Sequence, residues 1–186
     1  MHTALDGTAP SPLAVEFPNL TSAALPSRLS LTPVTARPGL LDGAWWPRSR
    51  DLSVELPPLV AALDGPWGRV TRVSVNPARW PVVPHTVAAA GRLVHVGWFT
   101  EQGPDTLLLL SYRTGRWDLL VVPPETDPEA AGRLMAAAAI PGGVLTAGVL
   151  TAREAVIGAR VREARRREAR WEGEGGTCSS TSRDRG

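Results

Sequence analysis

Between Val70 and Val122, glycine and proline cut the chain into short apolar segments, and this punctuation restricts the fold more than any other feature of the sequence. Val70 to Val75, Leu93 to Phe99, Thr106 to Tyr112 and Trp117 to Val122 are each short and rich in Val, Leu or aromatic residues, as strands are. Gly103-Pro104-Asp105 and Arg113-Thr114-Gly115-Arg116 supply turns between the last three. Connections this short predict an antiparallel meander.

Upstream, Arg28 to Thr32 alternates polar and apolar residues at period two and is expected to be the first strand. Pro38 to Pro47 carries Pro-Gly and Asp-Gly turn signals beside large apolar residues, and reads as an ordered loop or short hairpin. Ser49 or Asp51 can cap a helix in which Leu52, Leu56, Leu59, Val60 and Leu63 share one face. Pro57 and Pro58 should kink that helix or make it begin again near Pro58.

After the strands, Thr126 or Asp127 can cap a helix starting at Pro128, and Pro141-Gly142-Gly143 should end it. A last helix is expected over roughly Thr146 to Trp171. The predicted class is α+β: an antiparallel sheet of about five strands, a helix after the first strand and two C-terminal helices, with the helices on one face. Residues 1–27 and 173–186 are rich in Pro, Ser, Thr and Gly without periodicity and are expected to be disordered, leaving 28–172 as one domain.

All 20 basic residues are Arg, and the chain has no Lys. That composition reflects codons rich in G and C more than a binding function. Through Ala152 there are 11 Arg against 12 acidic residues, and beyond it 9 against 6, so the positive excess belongs to the C-terminal segment. The single cysteine, Cys178, cannot form an intrachain disulfide or a thiolate metal cluster, which fits a reducing, cytoplasmic setting. Leu134 to Ala152 is uncharged, but it is mostly Ala and Gly and Pro141 interrupts it, so no membrane span is expected.

Arg37 to Asp51 gathers two Trp, three Arg and two Asp within fifteen positions. Arg presents a planar fork to carboxylate or phosphate, and Trp presents a flat apolar face. Asp42, Trp45, Trp46, Arg48 and Arg50, with Arg37, are the candidate binding residues there. Arg79 and Trp80 repeat the pairing in a Pro-rich stretch. The competing reading is structural: Trp45 and Trp46 would point to opposite faces, one into the core and one over its edge. Were the two loops at the same end of the sheet, they would form a pocket lined by Trp and Arg.

His2, His85 and His95 lack metal-ligand spacing, and no cofactor is expected. A dyad of His95 with Asp118 would need a nucleophile such as Ser74 or Ser111, and no Gly-x-Ser-x-Gly elbow occurs. Phosphate-loop signatures are missing, and Glu163 and Glu168 among the Arg of 160–170 weaken a nucleic-acid reading.

Leu31-Thr-Pro, the run Arg37 to Leu52, Gly97-Trp-Phe and Trp117-Asp-Leu-Leu-Val-Val-Pro-Pro-Glu-Thr together resemble an actinobacterial, Streptomyces-type domain-of-unknown-function family, number 5994, over Arg28 to Gly176. The resemblance implies no activity or ligand. The expectation from the residues is a non-enzymatic binding or regulatory module that meets a protein partner or a small anionic ligand through its Trp and Arg loops. The alternatives are an enzyme with a pocket near those loops, drawing on Asp42, His95 or Asp118, and nucleic-acid binding by the Arg-rich last helix.

Overall fold

Alternation along one central strand sets the architecture. In β7 (Gly115–Val121) and just beyond it, Leu119 and Val121 enter one apolar cluster while Leu120 and Val122 enter another, so the sheet is covered on both faces. The structure, a computed structural model, describes residues 27–112 and 115–174. The disorder expected over 1–27 and 173–186 lies outside these, save for Ser27 and for Gly173 and Glu174, which belong to the last helix.

Among the described residues the sheet has seven strands rather than about five. Besides β7 they are β1 (Leu29–Leu31), β2 (Gly43–Trp45), β3 (Val70–Val75), β4 (Thr86–Ala89), β5 (Arg92–Trp98) and β6 (Thr106–Ser111), in the spatial order β1-β2-β7-β6-β3-β5-β4. It is mixed rather than antiparallel, because β2 runs parallel to β7 and β3 parallel to β5. The two strands absent from the sequence reading are short. β2 lay within the expected loop or hairpin, and β4 joins β5 through Ala90 and Gly91, both at positive φ, without the usual Asn-Gly signal.

The expected meander is also corrected. β6 and β7 form a hairpin, but β3 lies between β5 and β6. Side chains hold the β5–β6 crossing in place: Gln102 donates to the carbonyls of Ser74 and Thr106 and accepts from the Ser74 hydroxyl, while Asn76 donates to the Thr100 carbonyl at 3.1 Å. A short connection thus bridges a third strand because polar groups on that strand satisfy its backbone.

Helix α1 (Leu52–Trp67) starts where the Asp51 carboxylate accepts the Ser53 N–H. It continues through Pro57 and Pro58 and does not restart there. The backbone bonds those prolines remove are offset by burial of Leu52, Leu56, Leu59, Val60, Leu63 and Trp67 against the sheet. Trp67 stacks on Trp117 at 4.6 Å and 6°. Helix α2 (Pro128–Ala138), capped by Asp127, lies on the opposite face over β1, β2 and β7, so the helices do not share one face as expected. Helix α3 (Ala147–Glu174) joins that layer only through its first turns, where Ala147 and Leu150 are buried; residues 159–172 are exposed throughout. No described helix is long and apolar enough to cross a membrane.

Candidate functional site

Strand parity decides where the two adjacent tryptophans go. Trp45, in β2, turns toward α1 and is 1% exposed, and its ring stacks at 5.7 Å and 17° on Trp80, itself 4% exposed. Those rings belong to the core and present no face to a ligand. Trp46 turns the other way and packs at the edge of the α2-side cluster. The Arg28 guanidinium lies 3.5 Å from its ring centroid and donates to the Trp46 carbonyl at 2.9 Å. Burial and then the neighbouring Arg48 lower the Arg28 pKa, and Arg48 itself is exposed.

Arg50 and Arg79 carry the loops together. Arg50 donates to the Arg79 carbonyl at 2.9 Å and pairs with Glu125, while Arg79 pairs with Asp105. The Glu125 carboxyl is held below its ordinary range by hydrogen bonding to its own backbone N–H, and Arg50 adds to the effect. Asp105 is buried and its second oxygen accepts the Thr151 hydroxyl of α3 at 3.0 Å. One carboxylate therefore ties the strand-following loop of β3, the start of β6 and α3. The two Trp and Arg loops do meet at one end of the sheet, yet the gap between Pro47, Arg50, Trp80 and Pro124 is only about 10 Å³, room for at most a single water.

Arg37 and Asp42 lie elsewhere. The Arg37 side chain covers Gly142 and its carbonyl accepts the Gly142 N–H at 2.8 Å, beside the loop between α2 and α3. Asp42 accepts the Asp118 N–H at 2.8 Å, and Asp118 is paired with Arg116. Burial raises the Asp42 pKa, with that backbone N–H working against it. His95 is exposed, and β3 and β6 separate its strand from that of Asp118. Three strand spacings at about 4.8 Å put the two roughly 14 Å apart, too far for a dyad.

The larger space is a cleft of about 540 Å³ between α2, α3 and the 123–127 loop, reaching down to Arg79. Its walls carry four guanidinium groups, Arg79, Arg133, Arg162 and Arg165, and four carboxylates, Glu125, Asp127, Glu129 and Glu154. Arg133 and Glu154 pair across it. Arg162 and Arg165 make no ion pair among the described residues. The lining includes the Thr151 and Thr126 hydroxyls but no His, Cys or Ser, and no group of three or more metal-ligating side chains occurs among the described residues. Such walls can orient a molecule carrying both signs of charge.

Sequence reading singled out Arg79 and weighed the α3 arginines only as a nucleic-acid surface, but passed over Asp105, Glu125 and Thr151 as site residues. Asp105 sits in a Gly-Pro-Asp turn, and nothing in a turn motif separates a solvated aspartate from one that binds two elements. Glu125 follows Pro123-Pro124, which marks the end of β7, but nothing local aims its carboxylate at Arg50, 75 residues earlier in the chain.

No curated protein and no solved structure matches the chain. A family of unknown function (DUF5994) matches residues 28–138, a shorter stretch than Arg28 to Gly176, running from the start of the sheet to the end of α2 and leaving α3 beyond it. That stretch is more than half of the 186 residues, and the chain belongs to DUF5994.

Proposed function

We propose that this protein is a binding or regulatory module, and that the cleft between α2 and α3 receives a segment of another protein. The carrying observation is the balance of charge on its walls, with Arg162 and Arg165, which make no ion pair among the described residues, on the α3 side and Asp127 and Glu129 on the α2 side. A bare anion would meet as many carboxylates as guanidinium groups. A peptide, with carbonyls, amides and both signs of side chain, can satisfy both walls. Among the residues first singled out, Arg79 supports this reading by lining the cleft and Arg50 by bonding the Arg79 carbonyl and Glu125, while Trp45 and Trp80 support it by stacking where the two loops meet. The lysine-free composition fits an actinobacterial source, and the lone cysteine fits a cytoplasmic setting.

Selection of peptides from a displayed library against the full chain tests the reading. Enriched peptides should bind the protein and lose affinity for an Arg162→Ser/Arg165→Ser variant of unchanged Tm. The reading fails if no peptide is enriched while nucleotides, sugar phosphates or amino acids raise the Tm in a dose-dependent way that the same double variant abolishes. That result would favour a small-ligand site, and the enzyme alternative with it.

A further inference from the structure

Helix α3 runs for 28 residues, about 42 Å, and among the described residues it is held to the sheet and α2 through its first turns. Beyond Glu154 it carries apolar side chains that the described residues leave exposed: Ile157 and Val161, the latter at the rim of the cleft, are each 41% exposed and Trp171 is 82% exposed. With Leu150 and Ala164 these recur at intervals of seven, four, three and seven residues, the spacing of a coiled-coil seam, interrupted by Glu168. At 100° per residue they form one stripe. Arg153, Arg160 and Arg167, seven residues apart, run along one flank of it, and Arg165 stands on the other. Of the three in the row, only Arg167 has an ion pair among the described residues, an exposed one with Glu163 at 3.2 Å.

We infer that the stripe is a docking surface for an acidic amphipathic helix of another protein. This rests on the binding-module reading and adds the chemistry of the partner. The charge pattern selects the occupant. Two copies of α3 paired antiparallel through the stripe would bring their rows of Arg153, Arg160 and Arg167 face to face in every register that aligns the apolar residues, and parallel pairing would set Arg160 against Arg165 while setting Arg167 against Glu172. A second copy is therefore repelled in one orientation and gains no net charge complementarity in the other. A helix with Leu or Ile along its seam and Glu on both flanks covers the stripe and neutralises its borders. Nucleic acid suits the helix less well, because Arg160, Arg162, Arg165, Arg166, Arg167 and Arg170 spread over roughly 220° of its circumference instead of one line.

The test uses the full chain and a fluorescein-labelled synthetic helix of three heptads, Leu at the seam and Glu at both flanks, with a copy carrying Lys at the flanks as its control. Anisotropy titration should show saturable binding of the Glu helix and at least tenfold weaker binding of the Lys helix. Ile157→Asp and Trp171→Asp, at exposed positions outside the cleft that leave the Tm unchanged, should each weaken the Glu helix about 30-fold. Arg153→Glu/Arg160→Glu/Arg167→Glu should reverse the preference in favour of the Lys helix. Equal binding of both helices overturns the inference. So does a concentration-dependent dimer in sedimentation that Ile157→Asp dissolves, which would make a second copy the occupant, or tighter binding to random-sequence DNA than to the Glu helix. Loss of Glu-helix binding in Arg162→Ser/Arg165→Ser with Ile157→Asp silent would assign the helix to the cleft, sinking this inference while leaving the cleft reading standing.

Discussion

Replacing Asp105 by alanine probes how the cleft is held together. The Asp105 side chain is 8% exposed, and its two oxygens serve different elements, one pairing with Arg79 and the other accepting the Thr151 hydroxyl. A hydrogen bond to a charged group contributes about 1.5–3 kcal/mol. The Arg79 side chain is a third exposed, so water screens its share and the lower end of that range applies. The Thr151 bond adds about 0.5–1 kcal/mol, because the single hydroxyl proton can turn to the Ala147 or Gly148 carbonyl, each at 3.1 Å, when the carboxylate is gone. Asp105→Ala should therefore cost about 2–2.5 kcal/mol in urea unfolding and lower the Tm by roughly 4–10 °C for a domain of this size. Asp105→Asn keeps an acceptor for one of the two partners and should lose about half as much. Because Thr151 lies in the second turn of α3, amide exchange over residues 147–155 should quicken in the alanine variant more than exchange in β3 or β6. A loss below about 1 kcal/mol would refute the reasoning, since the carboxylate would then be acting as an ordinary surface ion pair.

Trp45→Ala should cost about 3–5 kcal/mol, because it removes a buried ring and unstacks Trp80, whereas Trp46→Ala should cost only about 1–2 kcal/mol; equal losses in denaturant unfolding would overturn the assignment of the two rings. Gly43 has φ of 147°, and a Cβ there would come within 2.2 Å of the Ser30 carbonyl oxygen, so Gly43→Ala should destabilise by more than about 2 kcal/mol; full stability with β1 still protected from hydrogen exchange would contradict this. Hydrogen bonding to Arg92 lowers the Asp64 pKa, so the pair's contribution is present above the unfolded value near pH 4 and is lost as pH falls through the folded one. Arg92→Met should flatten the acid limb of a stability-against-pH curve, and an unchanged limb would show that other carboxylates dominate it.

The elements with strong local signals were legible before folding. Val70 to Val75 is β3 with the same bounds, and the Asp51 and Asp127 caps lie where capping chemistry put them. β2 and β4 were not legible, since three or four residues in a loop-like context carry too little periodicity to stand out. The prolines of α1 misled for a related reason: their local penalty is certain, but the burial that outweighs it comes from residues of the sheet.

The candidate site divides the same way. Sequence alone determined that Arg50, Arg79, Trp45 and Trp80 were chemically unusual and that the last helix was rich in arginine, because residue type and helical period are local properties. Only the tertiary structure decided that the Trp rings face each other inside the core, that Asp105 joins Arg79 to α3, and that the described residues leave the apolar stripe of α3 exposed past the sheet. Insertion of β3 between β5 and β6 and the parallel pairing of β2 with β7 set those positions. Pairings between strands far apart in sequence depend on which apolar faces can be buried together, a property of the whole chain that no single segment encodes.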